Sequence, residues 1–404
     1  MSAKAKPRIL FVGPLPPEAG GLAGHGGIAT HCWELAREAA RHGYAVSILT
    51  DSADSFSQDG IVVCGYPRPR RVAMALHALR HRHEFPVKIP TGSPVASSKE
   101  KLKISYHLSR LNDAIKAVKP DILHVHSLHN PFGLAAALAE IDIPIVVTNH
   151  EFYPQGQTDL EIEKAHIILN RTARLICISN HTRQRMTQFG LGYQDPIRVI
   201  PIPVHSRRYP LKDRPRAKQR LGLSTNPTIL FIGSANAIAK KGLDILLMAA
   251  AEDRSLAATC QLVIRCNSHD ATRARLLARK GHLNIKLVER IPEEMMPDTL
   301  GAADVFAMPS RSEGFGIVYL NALLSGTPVV GFTGTLAQIE SQLGIEVGEK
   351  YDPHTEDKHE LAAKIRRVLD TDFPRFEVRR RVVAVYDWER RFVEFADVYQ
   401  GLKP

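Results

Sequence analysis

No apolar stretch in the sequence approaches the roughly 20 residues needed to cross a bilayer, so a membrane-spanning helix is not expected. Cysteine is scarce. The five present (Cys32, Cys64, Cys177, Cys260 and Cys266) are an odd, scattered set without a Cys-x-x-Cys pair. That argues against structural disulfides and a cysteine zinc site, and it suits a reducing cytoplasm. Aromatic residues make up only 6% and no recognition motif for nucleic acid is present, so the net charge of +11 is not read as a nucleic-acid footprint. The first residues carry lysines but run straight into a short strand, without a signal-peptide core or cleavage site. The dinucleotide fingerprint is also missing. After the strand-like run Arg8–Val12 come Pro14, Pro16 and Pro17, where Gly-x-Gly-x-x-Gly would open a helix.

What is present fits two α/β domains. The length of 404 residues is too great for one ordinary domain, and 44% hydrophobic content is usual for a globular chain. The most informative stretch runs from Ala303 to Val330. A short apolar run ends at Met308-Pro309, and a polar, glycine-rich turn spans Ser310 to Phe315. Ile317, Leu320, Leu323 and Leu324 then recur at helical spacing, Gly326 ends the helix, and Pro328-Val329-Val330 begins another strand. The helix start after Gly314-Phe315-Gly316 offers unpaired N–H groups and the positive end of a dipole, which favour a phosphate. Glu313 repels a phosphate and therefore faces hydroxyls. An anion beside a polyol describes a nucleotide sugar.

This run, SEGFGIVYLNALLSGTPVV, resembles the donor-site signature of family-four retaining glycosyltransferases. The resemblance covers nearly the whole chain. It implies a GT-B architecture: two Rossmann-like domains facing a central cleft (residues 1–205 and 206–385), with a C-terminal helix at 386–404 returning to the first. It also implies transfer from a nucleotide diphosphate sugar, UDP- or GDP-linked, to a hydroxyl acceptor, with no metal or other cofactor. Gly26-Gly27, just before the helix Ile28 to His42, reads by itself either as an anion-tolerant helix start or as a plain loop; the resemblance places it near the donor phosphates and acceptor. The resemblance puts His150, after the strand Ile145–Thr148, on the transferred sugar. It puts Lys241 on the diphosphate, and Gly314, Phe315, Gly316 and Ile317 around it. It places the turn from Arg290 and Ile291 to Glu294 where the family grips the base through its main chain.

Several positions depart from the family pattern. Asn321 stands where a second Glu meets the ribose, and Ser234 where an arginine clamps phosphate; Arg265, at the same sheet edge, is a candidate substitute. Ile202-Pro203 replaces Asn-Gly, while Thr335 and Gln338 replace a glycine and an acid. These departures keep two alternatives open: a non-hydrolysing sugar-nucleotide epimerase and a non-catalytic sugar-nucleotide-binding protein. His124 and His126 share one strand face with His129 nearby, but regularly spaced further ligands are lacking and no metal site is expected. The basic region 68–103 reads either as an amphipathic face for anionic membrane, giving a cytoplasmic protein peripheral on the inner face, or as a solvated charged surface. His205 to Pro227 reads as a linker.

Overall fold

The fold is described from a computed structural model, which places residues 6–21, 26–66, 93, 95, 97–151, 159–233 and 237–402. Two compact units emerge. The first comprises Met1–Pro201 with Phe392–Pro404, and the second Ile202–Arg391, so the divisions fall after 201 and 391 rather than after 205 and 385.

In the first unit the described strands are β1 (Arg8–Val12), β2 (Ala45–Thr50), β3 (Phe56–Gln58), β4 (Ile61–Gly65), β5 (Ile122–His126), β6 (Ile145–Asn149), β7 (Thr172–Cys177) and β8 (Arg198–Val199). They form one sheet in the order β3-β4-β2-β1-β5-β6-β7-β8, parallel except for β3. Every residue of β5 and β6 is buried. Continuous burial, rather than alternation, is what a parallel sheet with both faces covered produces. Helix starts are fixed locally: Asn130 caps Pro131–Leu138 through Phe132 N and Gly133 N, and Ser179 with Thr182 forms a reciprocal cap on Asn180–Gln188. Such caps contribute about 1 kcal/mol each. The C-terminal segment packs on this unit. Phe392 stacks on His42 with ring centroids 4.1 Å apart, and the Tyr399 hydroxyl lies 2.7 Å from His124 Nδ1.

The second unit's described strands are β9 (Thr228–Ile232), β10 (Gln261–Arg265), β11 (Asn284–Val288), β12 (Val305–Met308), β13 (Val329–Phe332) and β14 (Gly348–Tyr351). All are parallel, in the order β11-β10-β9-β12-β13-β14. This is the doubly wound order, whose reversal between β9 and β12 opens a crevice at the strands' carboxyl ends.

The expected linker is a correction. Within 205–227 lies a helix, Arg214–Arg220, capped by Asp213. Lys218 on that helix is buried and donates to Asp304 Oδ2 at 2.7 Å, while Arg214 donates to Asp304 Oδ1 at 3.2 Å. Read alone, the prolines and arginines hide this helix, because the carboxylate that holds it is some 90 positions away in the chain.

Candidate functional site

The crevice of the second unit is built by two loops. One follows β9 and carries Lys241; the other follows β12 and carries Glu313. Gly242, with φ of 75°, lets them approach: a Cβ there would sit 2.1 Å from the Pro309 carbonyl oxygen. The result is an ion pair, Lys241 Nζ to Glu313 Oε2 at 2.6 Å, with both side chains largely buried. Gly316 begins the next helix (Ile317–Leu324) in the left-handed region, and a Cβ at that position would strike the Tyr319 ring at 2.5 Å. Tyr319 is fully buried. Its hydroxyl donates to the Met308 carbonyl at 2.7 Å and accepts from Phe332 N, pinning the helix across β12 and β13. The helix N-terminus, the positive end of its dipole, is therefore fixed beside the cation and the carboxylate.

A residue that the sequence did not reveal holds this arrangement. Arg311 binds Asp244 with both terminal nitrogens (2.9 and 3.2 Å), donates to the Ile238 and Ala239 carbonyls, and contacts Glu356 at 2.8 Å. Its own backbone N–H donates to the Lys240 carbonyl at 2.9 Å. The Lys241 loop is thus tied to the Glu313 loop by side chain and main chain together. Proximity in sequence to Glu313 was the one available signal. On the other flank Asp270 accepts from Ala237 N at 2.9 Å.

The remaining expected donor residues are distributed along this sheet edge. Arg265, at the end of β10, donates to the Gly233 carbonyl at 3.2 Å, and burial lowers its pKa. Arg290 is exposed and Ile291 half-buried, just beyond the edge strand β11. Phe315 turns inward and is buried, its ring 5.9 Å from Tyr386. Asn321 Oδ1 is buried with no hydrogen-bond partner among the described residues. Ser234 lies outside the described residues, as does most of the basic region 68–103, whose described end begins the helix Ser98–Val118.

In the first unit the same topological position, between β1 and β5, opens a pocket of about 160 Å³ whose lining includes Gly13, Asp51, His126 and Asn130. Gly26 and Gly27 are exposed at the start of the helix Gly26–Arg41. That helix brings in His31, which sequence inspection passed over. His150 Nε2 lies 3.0 Å from His126 Nδ1 and 3.4 Å from His31 Nδ1. The three offer nitrogen atoms all within 4.8 Å of one another, a spacing a metal ion could bridge. His129 stands apart from them, 3.5 Å from Glu161. Burial pushes His124 and His150 down to about 3, and lowers His31 and His126 strongly, so the cluster is neutral at ordinary pH.

Comparison with known proteins agrees with both halves. The family profile described as Glycosyltransferase Family 4 matches residues 25–208, and that described as Glycosyl transferases group 1 matches 226–371. A D-inositol 3-phosphate glycosyltransferase from Acidothermus cellulolyticus is 28% identical over 97% of this chain and 89% of its own length. A GDP-mannose-dependent monoacylated alpha-(1-6)-phosphatidylinositol monomannoside mannosyltransferase from Corynebacterium glutamicum is also 28% identical, over 53% of this chain and 58% of its own. Among solved structures, a sucrose-phosphate synthase from Thermosynechococcus elongatus has a TM-score of 0.76, with 18% identity over 98% of this chain and 99% of its own. Anabaena HepE in complex with UDP and glucose has a TM-score of 0.69, with 18% identity over 97% and 99%. At those identities the structural matches speak for the fold.

Proposed function

This chain belongs to the family-four glycosyltransferases of GT-B fold, and on that footing we propose that it moves a sugar from a nucleotide diphosphate sugar, UDP- or GDP-linked, to an acceptor hydroxyl with retention of configuration. The observation that carries the donor assignment is the Lys241–Glu313 pair beside the Gly316 helix start, at the crevice of the second sheet. One ligand satisfies that trio: a diphosphate for the ammonium and amides, and sugar hydroxyls for the carboxylate.

Retaining glycosidases normally place two carboxylates about 5 Å apart and use one as nucleophile. Asn321 in place of the second Glu removes that option from the signature. The chemistry is instead stabilisation of a leaving group. The bond from the anomeric carbon to the diphosphate oxygen breaks as the bond to the acceptor oxygen forms on the same face. The acceptor's proton passes to the departing phosphate oxygen. Lys241, the amides from Gly314 to Ile317, and Arg265 take up the developing charge. Glu313 holds sugar hydroxyls and Asn321 serves the ribose, while His150, held neutral by burial, is the first unit's candidate contact for a sugar ring. These groups suffice without a metal ion. The turn at Arg290 and Ile291 lies three strands from β12, or about 14 Å at 4.8 Å per strand, a reach that suits the base end of a nucleotide.

Incubation with a panel of UDP- and GDP-sugars tests this reading, with products separated and their anomeric configuration read by NMR. Retained transfer, or donor hydrolysis without acceptor, is expected. Isomerised sugar nucleotide as the sole product would make the protein an epimerase, and binding without turnover would make it a non-catalytic binder.

A further inference from the structure

A second, larger cavity in the first unit, about 350 Å³, lies among the helices Ser98–Val118, Pro131–Leu138 and Asp159–Leu169. Its volume is within the range of small-molecule sites, about 300–1,000 Å³. It shares His129, Asn130 and Pro131 with the pocket between β1 and β5, so the two adjoin at the carboxyl end of β5.

The walls carry an internally balanced charge set. Lys164 Nζ lies 3.0 Å from both Glu100 and Glu161, and Lys103 donates to Glu100 at 2.6 Å. Glu100 is 6% exposed. Burial pushes its carboxyl up, but the hydrogen bonds from Lys103 and Lys164 outweigh this and hold it below the ordinary range. Burial lowers His129 despite Glu161 beside it. Two cations therefore face two anions, with a neutral imidazole between. The apolar part of the lining is Ile104, Leu134 and Ile168, the first and last of them on the same helices as the charges.

We propose that this cavity binds the sugar acceptor, and that the acceptor group seated there is an uncharged polyol, such as a sugar or cyclitol ring, rather than a phosphorylated one. Hydroxyls accept from the lysines and donate to the carboxylates without disturbing either pair. A phosphate entering the same space meets two carboxylates that match the two lysines charge for charge. The helix start beside it, at Pro131, already has its Phe132 and Gly133 amides capped by Asn130, unlike the uncapped start at Gly316, so the phosphate's desolvation is uncompensated. The apolar side chains of the lining cover the C–H face of the ring. This separates the chain from relatives whose names specify an inositol phosphate, and it rests on the transfer reading above.

The test uses the full chain with four probes: myo-inositol, methyl α-glucopyranoside and their monophosphates. Binding is followed by saturation-transfer NMR and transfer by mass spectrometry, and UDP and GDP binding is measured in parallel. The neutral probes are expected to bind and to accept sugar in preference to the phosphates. Leu134→Trp, which fills the cavity, and Glu161→Gln are each expected to weaken neutral-probe binding at least about fivefold (roughly 1 kcal/mol) with nucleotide binding unchanged. Preference for the phosphorylated probes, or undiminished binding in a folded Leu134→Trp protein, overturns the proposal. Failure of the wild type to bind either nucleotide instead sinks the transfer reading.

Discussion

The two units share a sheet plan and differ in what they put at its crevice. Both reverse strand order beside their first strand, at β1 and β5 in one and at β9 and β12 in the other. At the first reversal the described side chains include buried, neutral histidines. At the second they include a tight Lys–Glu pair, a bridging Arg311 and a glycine-led helix start. Topology fixes where a ligand sits; the residues grafted on the loops decide which charge it carries. On the readings proposed above, the second crevice takes a diphosphate, and the cavity adjoining the first takes a neutral ring.

The contrast can be broken most sharply at the pair. Lys241→Ala and Glu313→Ala are each expected to lower kcat/KM for transfer at least about tenfold, near 1.4 kcal/mol of barrier. Because the two side chains touch, the double variant should lose less than the sum of the singles. Wild-type-like rates in both singles would remove them from the mechanism. Arg311→Ala comes next. It touches Lys241's loop and, through the chain, Glu313's, so the donor KM should rise about fivefold with acceptor KM unchanged, since misplacement costs binding geometry. An equal change in both would reduce Arg311 to a general structural role.

The first crevice is sharpened by pH. His124 and His150 are pushed down to about 3, whereas histidines in the unfolded chain titrate near 6.5. Below about pH 6.5 the unfolded chain gains protons that the folded chain refuses, so stability is intact above that value and declines as pH falls toward 3. The urea midpoint should therefore drop between pH 7 and 5; a flat midpoint would mean that water reaches the cluster. The smallest effect concerns metal. Transfer rates should be unchanged after dialysis against EDTA, despite the close approach of His31, His126 and His150.

Much of this was legible from residue order because the signals were local. Glycines and an apolar helix repeat mark the 303–330 unit, and the structure sets its helix at Ile317–Leu324 between β12 and β13. What escaped depends on partners distant in sequence. The Arg214–Arg220 helix is held by Asp304, and Arg311 matters through Asp244, 67 residues away. His31 looks like an ordinary helical position until β5 and the end of β6 bring His126 and His150 against it. Charge balance in the 350 Å³ cavity likewise joins two helices that no spacing rule connects.

The most direct test of the central claim is nucleotide binding to the second crevice. Isothermal titration of the wild type and Lys241→Ala with UDP and GDP should show binding of at least one nucleotide that weakens about tenfold or more in the variant. Equal affinity in the two proteins would contradict the account, because the diphosphate would then be held somewhere other than beside Lys241.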